Sequence, residues 1–183
     1  MIGWIIGGVV FVVVLTFVIT TYNTLVRLRN KVKNSFAQID TQLQRRFDLI
    51  PNLVETVKGF ATHEKELLEN VTANRSGYAN ASSNREKMLL NNQLTANLRS
   101  LFAVVENYPD LKANTNFLRL QEELSETEDK IAYARQFYND AVTIYNDKIQ
   151  MFPGVMVAAI LGFREEELFN TEVEAKAAPH IRF

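Results

Sequence analysis

The first 26 residues constrain this chain more than any other stretch, because they hold no charged side chain. The first cation is Arg27, and apolar residues fill nearly every position from 2 to 19. A helix needs about 20 such residues to cross the hydrocarbon core of a bilayer, and in lipid a helix satisfies its own backbone polar groups. The stretch therefore predicts a transmembrane anchor over residues 1–22, which contacts the bilayer through residues 2–21.

Two alternatives to an anchor are a buried core helix and a cleaved signal sequence. The uninterrupted apolar run is longer than core helices usually show. A secretory signal carries a basic segment before its apolar region and small residues at the cleavage site. Here residues 1–4 hold no Lys or Arg, and residues 20–23 read Thr-Thr-Tyr-Asn. We therefore expect an anchor that is not cleaved.

Four cations follow the apolar stretch directly, whereas nothing basic precedes it; they are Arg27, Arg29, Lys31 and Lys33. Cytoplasmic flanks of transmembrane helices are enriched in Lys and Arg. This rule places the N-terminus outside and the body of the protein in the cytoplasm, with a periplasmic or extracellular body as the alternative. The same cations are candidates for contact with anionic lipid headgroups.

The remaining sequence favours long helices. It contains few turn-forming residues, with Gly 7 and Pro 4 in the whole chain, and it shows no apolar alternation typical of strands. Apolar residues recur at spacings of three and four within residues 25–57, 88–105 and 117–145. The prediction is an all-α fold in which the anchor continues into an antiparallel, four-helix-bundle-like domain over residues 23–164. Residues 165–183 read as an acidic, flexible tail.

Several positions are predicted to break or bend these helices. Pro51 should kink the first helix rather than end it at residue 50, because the apolar stripe resumes in phase after it. Residues 74–84 are rich in Asn, Ser and Gly and predict a loop. Asn114 or Asn116 is expected to cap the last long helix, which ends before Pro153 and Gly154.

Residues 155–163 form an apolar run that is too short to span a bilayer. It is either a lid on the bundle or a helix in the membrane interface. The lid is preferred, because the run lacks the Lys and Arg face of interfacial helices.

No catalytic constellation stands out, so we expect no catalytic residue, cofactor or metal site. The histidines are His63 and His180, and the sequence after His63-Glu64 lacks the second His of an H-E-x-x-H zinc site. The carboxylates of the last long helix are expected to pair with nearby cations on a solvated face; they are Glu122, Glu123, Glu126 and Glu128 beside Arg119, Lys130 and Arg135. A net charge of -1 gives no global attraction to nucleic acid.

Two polar clusters are candidates for an interaction surface; together they comprise Arg45, Arg46, Asp48, Asn52, Glu106, Tyr108, Asp110 and Lys112. For the cluster beside Pro51, the alternative is that Arg side chains bond carbonyls freed by the proline and pair with Asp48. For the cluster around Pro109, the alternative is an ordinary interhelical turn.

Three further pairs of residues have a predicted role in packing or association. Asn139 and Asn146 are one heptad apart and could set helix register. Tyr138 and Tyr145 are expected in the core with hydrogen-bonded hydroxyls. Gly3 and Gly7 form a G-x-x-x-G pair, a candidate for self-association of the anchor.

Several motifs in the same order resemble the LemA family of bacterial membrane-anchored proteins over residues 22–163; they are YNTLV (22–26), QLQRRFDLIPNL (42–53), VENYPDLKAN (105–114), NF (116–117), AYAR (132–135), YN (138–139 and 145–146) and FP (152–153). The resemblance implies a transmembrane helix with its short end outside, followed by a compact bundle of long helices. The family has no established enzymatic activity, and a LemA-like relative is found on magnetosome membranes.

Together these observations predict a non-enzymatic interaction or scaffold protein at the bacterial cytoplasmic membrane. Its expected partners are the bilayer and an unidentified membrane protein, or a second copy of itself in a homo-oligomer. No nucleic acid and no small-molecule substrate is expected. The alternatives are a membrane-remodelling or lipid-organising protein and, last, a hydrolase that uses carboxylates.

Overall fold

The computed structural model describes residues 1–61 and 63–170, and these residues contain helices and no strand. The helices, in chain order, are α1 (Ile2–Lys58), α2 (Lys65–Asn80), α3 (Asn84–Val105), α4 (Pro109–Lys112), α5 (Thr115–Gln150) and α6 (Gly154–Leu161). The prediction of an all-α bundle of long helices is confirmed. Of the predicted tail, residues 171–183 and with them His180 lie outside the described residues.

Helix α1 runs without interruption from the apolar N-terminal stretch into the bundle. It passes through Pro51, so the helix does not end at Ile50. The apolar stripe explains this continuity, because Ile50, Leu53 and Val57 on either side of the proline are all fully buried. Packing of that stripe outweighs the hydrogen bond that a proline removes from a helix interior.

The N-terminal part of α1 has the length and composition of a membrane span. Its most apolar stretch of 18 residues has a mean hydropathy of 2.8, and none of these residues is buried. Side chains become buried only from Thr21 and Leu25 onward. A long apolar helix whose side chains are exposed in the described chain is compatible with insertion in lipid.

The chain divides into two compact units, and α1 and α5 contribute a segment to each. The first unit comprises residues 1–37 and 136–168. Its core is built from one apolar face each of α1, α5 and α6; the buried residues are Leu25, Val32, Phe36, Tyr138, Ala141, Val142, Tyr145, Ile149, Val157 and Ala158. The rings of Phe36 and Tyr138 meet edge to face, with centroids 5.6 Å apart.

The second unit comprises residues 38–135 and 169–183, of which 62 and 171–183 are not described. Five helical segments share its core: the end of α1, α2, α3, the short α4 and the start of α5. The larger buried residues are Ile39, Leu43, Phe47, Ile50, Leu53, Val57, Leu68, Val71, Tyr78, Leu94, Leu98, Leu101, Val105, Leu111, Phe117, Leu124 and Ile131. The segments of α1, α3 and α5 match the apolar stripes that the sequence indicates.

The predicted loop over residues 74–84 is wrong for most of its length, because α2 continues to Asn80. Tertiary contacts outweigh the low helix propensity of this stretch. Tyr78 is buried and stacks on Phe47 at a centroid distance of 4.2 Å. Gly77 brings α2 close to α3, since a Cβ at this position would lie 2.9 Å from Cδ2 of Leu90.

Short connections between the later helices carry their own caps. Ser83 begins α3, and its hydroxyl accepts a hydrogen bond from the backbone N–H of Glu86 at 3.2 Å. Of the two candidate caps for α5, Asn114 is the one used, because its side-chain oxygen accepts from the N–H groups of Asn116 and Phe117. Both arrangements satisfy backbone donors at a helix N-terminus.

Candidate interaction surface

Arg46 lies inside the second unit rather than on its surface. Its Nη1 donates to the side-chain oxygen of Asn91 at 2.7 Å and to that of Thr95 at 3.0 Å, and it pairs with the carboxylate of Glu128 at 2.6 Å. Burial lowers the pKa of Arg46, and the charge of Glu128 opposes that shift. The structure therefore removes Arg46 from the predicted interaction surface and makes it a link between α1, α3 and α5.

Sequence spacing contains the signal for this placement. Arg46 falls three residues after Leu43 and four before Ile50, both of which are buried, so it lies on the core face of α1. Its neighbour Arg45, which is grouped with it in the predicted interaction surface, is exposed. Residues one apart on a helix point in different directions, and this difference separates the two arginines.

A second polar network in the same unit joins α1, α2 and α3. The hydroxyl of Tyr78 donates to the carboxylate of Asp40 at 2.7 Å, and Nζ of Lys87 lies 2.8 Å from both carboxylate oxygens. Burial first, and then Asp40, raises the pKa of Tyr78 well above its ordinary value. Sequence patterns do not predict this network, because Asp40 is 38 residues from Tyr78 and 47 residues from Lys87 along the chain.

The outer face of the second unit carries two open cavities between α1 and α5. The first, of about 570 Å³, is lined by Gln38, Thr41, Gln42, Glu126, Asp129, Lys130, Tyr133 and Ala134. The second, of about 540 Å³, is lined by Leu49, Asn52, Glu55, Thr56, Asn116, Arg119, Leu120 and Glu123. Arg45 and Asp48 are exposed and continue the same row of α1 positions, since residues three and four apart share a helix face. We call this set the α1–α5 surface.

The α1–α5 surface is polar and charged. Arg119 pairs with Glu123 at 3.1 Å, and Lys130 pairs with Glu126 at 3.2 Å. These two pairs confirm the predicted solvated face of α5, whereas Glu128 turns inward to Arg46. Asp48 accepts a hydrogen bond from the side chain of Gln44 at 2.9 Å. Three of the predicted surface residues, namely Arg45, Asp48 and Asn52, thus lie on one exposed row.

The other predicted cluster spans the turn after α3 and the short helix α4. Glu106 and Lys112 make an ion pair across this turn, and Asp110 is exposed. The hydroxyl of Tyr108 donates to the carboxylate of Glu64 at 3.1 Å, and this hydrogen bond raises the pKa of Tyr108. These contacts agree with the alternative interpretation of the cluster around Pro109 as an ordinary interhelical turn.

The predicted membrane-surface residues all project from α1. Arg27, Arg29, Lys31 and Lys33 are exposed, as is every residue of the anchor before Thr21. No atom lies within 4 Å of a Cβ placed at Gly3 or Gly7. Within the described residues these side chains are therefore accessible to lipid or to a second span.

Tyr138, Tyr145 and Asn146 hold the chain that follows α6. The hydroxyl of Tyr138 donates to the carbonyl of Glu167 at 2.8 Å, and that of Tyr145 donates to the carbonyl of Arg164 at 3.0 Å. The amide of Asn146 makes two hydrogen bonds with the backbone of Glu166. The tyrosines are therefore core residues with bonded hydroxyls, as predicted. Asn146 fixes a backbone segment rather than the register between helices.

Within residues 1–61 and 63–170, no group of three or more His, Asp and Glu residues is arranged to hold a metal ion. His63 is exposed in the connection between α1 and α2.

The chain is similar to known proteins over most of its length. The profile of the LemA family matches residues 35–183. The chain is 29% identical to Protein LemA of Metamycoplasma hominis, over 83% of this chain and 70% of that protein. It is 27% identical to Magnetosome protein MamQ 2 of Paramagnetospirillum magneticum and 23% identical to Magnetosome protein MamQ of Magnetospirillum gryphiswaldense. The chain spans 64% and 67% of the length of these two magnetosome proteins.

Proposed function

Because this chain belongs to the LemA family, we propose that it is a membrane-anchored, non-enzymatic interaction or scaffold module at the bacterial cytoplasmic membrane. The observation that carries the proposal is the continuity of α1, which joins the apolar N-terminal stretch to the bundle core as one helix. A helix of this length needs no linker between the span and the bundle, so a partner bound to the bundle is held at the membrane.

The α1–α5 surface is the proposed docking site. It offers Arg45, Asp48 and Asn52 on α1 opposite the paired charges of α5. Charged groups arranged in this way favour specificity and orientation of a partner over raw affinity. An adaptor surface of this kind suits a polar protein partner or a second copy of the chain.

The cation cluster after the span supports the orientation of the body. Arg27, Arg29, Lys31 and Lys33 are all exposed on α1, and they follow a span with no cation before it. By the positive-inside rule the proposed orientation is N-terminus outside and bundle in the cytoplasm.

The proposal is tested by in-cell photocrosslinking from Arg45, with the same crosslinking residue at Ala103 as the matched control. Ala103 is exposed on α3 and lines neither cavity of the α1–α5 surface. We expect a protein adduct from Arg45 that is absent from Ala103, and self-adducts alone would identify a homo-oligomeric scaffold. Identical adduct patterns from the two sites, or none from Arg45, would overturn the docking role.

A second candidate function is that of a lipid-organising protein. This candidate is suggested by the similarity of the chain to proteins that are named magnetosome proteins. The four exposed cations of α1 provide the electrostatic basis, at roughly 1 kcal/mol for each cation near an anionic surface. The full chain reconstituted in anionic vesicles should then change their diameter, and a variant with all four cations replaced by Gln should not. Unchanged vesicles with the native chain would eliminate this candidate.

A further inference from the structure

Residues 151–163 form the only stretch after the anchor that combines full apolarity with wide exposure in the described chain. No polar or charged side chain occurs between Gln150 and Arg164. Helices on the surface of a soluble domain usually carry a polar face toward water. Helix α6 has none, so its outward face requires an explanation.

One face of α6 packs on the first unit. Gly154, Val157 and Ala158 are buried at positions i, i+3 and i+4. A Cβ at Gly154 would clash with the carbonyl oxygen of Lys148, so the start of α6 is pressed against the end of α5. The prediction that this run packs as a lid on the bundle therefore applies to one side of α6.

The opposite side of α6 remains apolar and exposed. Ile160 is 80% exposed and Met156 is 59% exposed, and Phe152 in the preceding turn is 76% exposed. Met151 and Leu161 extend the same patch. Contiguous exposed apolar patches mark sites of contact with protein or membrane.

The patch adjoins the end of the membrane span, within one compact unit. The ring of Phe163, just after α6, meets the ring of Tyr22 edge to face with centroids 5.8 Å apart. Tyr22 follows the apolar stretch and precedes the first cation. Tyrosine is enriched at this level of transmembrane helices, where its ring meets lipid and its hydroxyl meets the headgroups.

Charged residues of both signs border the patch, because Arg164 is followed by Glu165, Glu166 and Glu167. Arg164 follows it in sequence, and its carbonyl is held by the hydroxyl of Tyr145. Burial raises the pKa of Tyr145, the charge of Arg29 on α1 opposes this rise, and Glu166 adds to it. Interfacial helices are rich in cations on their polar face; α6 has none, and the exposed cations Arg29 and Arg164 lie in neighbouring segments of the same unit.

We propose that the exposed face of α6 inserts into the interfacial layer of the leaflet from which α1 emerges, as a second lipid contact of the protein. The inference rests on the proposed anchorage. Lipid is the occupant because the patch continues directly from the span and holds no polar side chain, whereas protein interfaces surround an apolar centre with a polar rim. Contact at two points would fix the first unit against the bilayer surface.

Depth-dependent quenching of a fluorophore on single cysteines tests the proposal. The chain contains no native cysteine, so each variant of the full protein carries one label. The variants are Ile160→Cys on α6, Phe11→Cys in the middle of the span, and Thr143→Cys at an exposed position of α5 in the same unit. Each is reconstituted in phosphatidylcholine–phosphatidylglycerol vesicles with lipids spin-labelled at shallow or deep acyl positions.

We expect deep lipids to quench the label at Phe11, shallow lipids to quench the label at Ile160, and neither to quench the label at Thr143. Loss of quenching at Phe11 would overturn the anchorage itself. Quenching at Phe11 with none at Ile160 would overturn the inference alone. A label at Ile160 shielded from aqueous quenchers yet untouched by spin-labelled lipid would place a second copy of the chain on the patch, which also overturns it.

A charge substitution provides an independent readout. With the label at Met156→Cys, we expect Ile160→Glu to abolish quenching by shallow lipids, because a carboxylate resists entry into the interface. Thr143→Glu is the matched control and should leave that quenching unchanged. Both positions are exposed, so neither change removes core packing. Equal quenching in both variants would contradict lipid contact by α6.

Discussion

Nη1 of Arg46 lies 2.6 Å from Oε2 of Glu128, and the Arg46 side chain is only 4% exposed while that of Glu128 is 37% exposed. This pair joins α1 to α5 in the second unit, where the guanidinium also bonds Asn91 and Thr95. Burial of a charge is unfavourable unless partners compensate it. Glu128 supplies the negative charge that compensates the buried guanidinium. We therefore expect the position of Arg46 to depend strongly on Glu128.

Removal of the Arg46 guanidinium should destabilise the protein. We expect Arg46→Ala to lower the free energy of unfolding by about 3 kcal/mol, at the lower end for a broken buried pair because Glu128 reaches solvent. Arg45→Ala, one residue away and exposed, is the control and should change it by less than about 0.5 kcal/mol. Urea unfolding of the full chain in detergent measures both values. Equal effects would contradict the buried position of Arg46.

The pair should also show coupling in a double-mutant cycle. Glu128→Gln leaves the Arg46 charge uncompensated, so the double variant Arg46→Met/Glu128→Gln should be less destabilised than the two single effects predict. Contacting groups of this kind couple by about 0.5–3 kcal/mol. Additive single effects in the same unfolding assay would show that Asn91 and Thr95, and not Glu128, hold Arg46.

Alkaline pH should destabilise the first unit through Tyr138. Burial, followed by Glu166 and Glu167, raises the pKa of Tyr138 to about 12, whereas an unfolded tyrosine ionises near pH 10. The folded state binds this proton more tightly, so its contribution to stability is complete below about pH 10 and is lost as pH rises toward about 12. Unfolding measured between these pH values should show a flatter pH dependence for Tyr138→Phe than for the native chain. Parallel pH profiles would be the contrary result.

Two glycines at helix contacts should respond differently to alanine. At Gly77 the new Cβ meets the flexible end of Leu90, and a gain in helix propensity of about 1 kcal/mol offsets the crowding. At Gly154 it meets the backbone carbonyl of Lys148, which cannot move aside, and overpacking there should cost about 2–3 kcal/mol. Thermal unfolding of Gly77→Ala and Gly154→Ala compares the sites. A larger loss at Gly77 would argue against the close α5–α6 contact.

Asn146 should control the order of the chain after α6. Its side chain makes hydrogen bonds of 2.9 Å and 3.0 Å with the backbone of Glu166. Asn146→Ala should raise the hydrogen-exchange rate of the Glu166 amide and reduce stability by about 1–2 kcal/mol. Asp147→Ala, at an exposed neighbouring position, serves as the control. Unaltered exchange at Glu166 in Asn146→Ala would contradict this role.

Features of this fold that depend on residues close together in the sequence can be predicted from the sequence. The uncharged stretch before Arg27, the apolar stripes and the Asn114 cap each reflect residues close together in sequence, and the structure places them as helices and a cap. The continuation of α1 through Pro51 also follows from its own stripe. For such elements the free energy of packing and the local propensity agree.

Features that depend on distant residues escape the same reasoning. The Asn- and Gly-rich end of α2 is helical because Tyr78 stacks on Phe47, a contact across the chain that composition does not reveal. The link between Asp40 and Lys87 is equally non-local. Exposure of α6 on one side depends on which neighbours cover it, and an all-apolar run carries no periodicity that separates its two faces.

Cysteine accessibility in bacterial spheroplasts tests the central claim of membrane anchorage most directly. In this cysteine-free chain, Ile2→Cys and Ala103→Cys place one thiol at the N-terminal end of the span and one on the bundle. We predict that a membrane-impermeant maleimide labels Ile2→Cys in intact spheroplasts and Ala103→Cys only after the membrane is permeabilised, with both proteins in the membrane fraction. Recovery of the chain in the soluble fraction, with both thiols labelled alike, would contradict the claim.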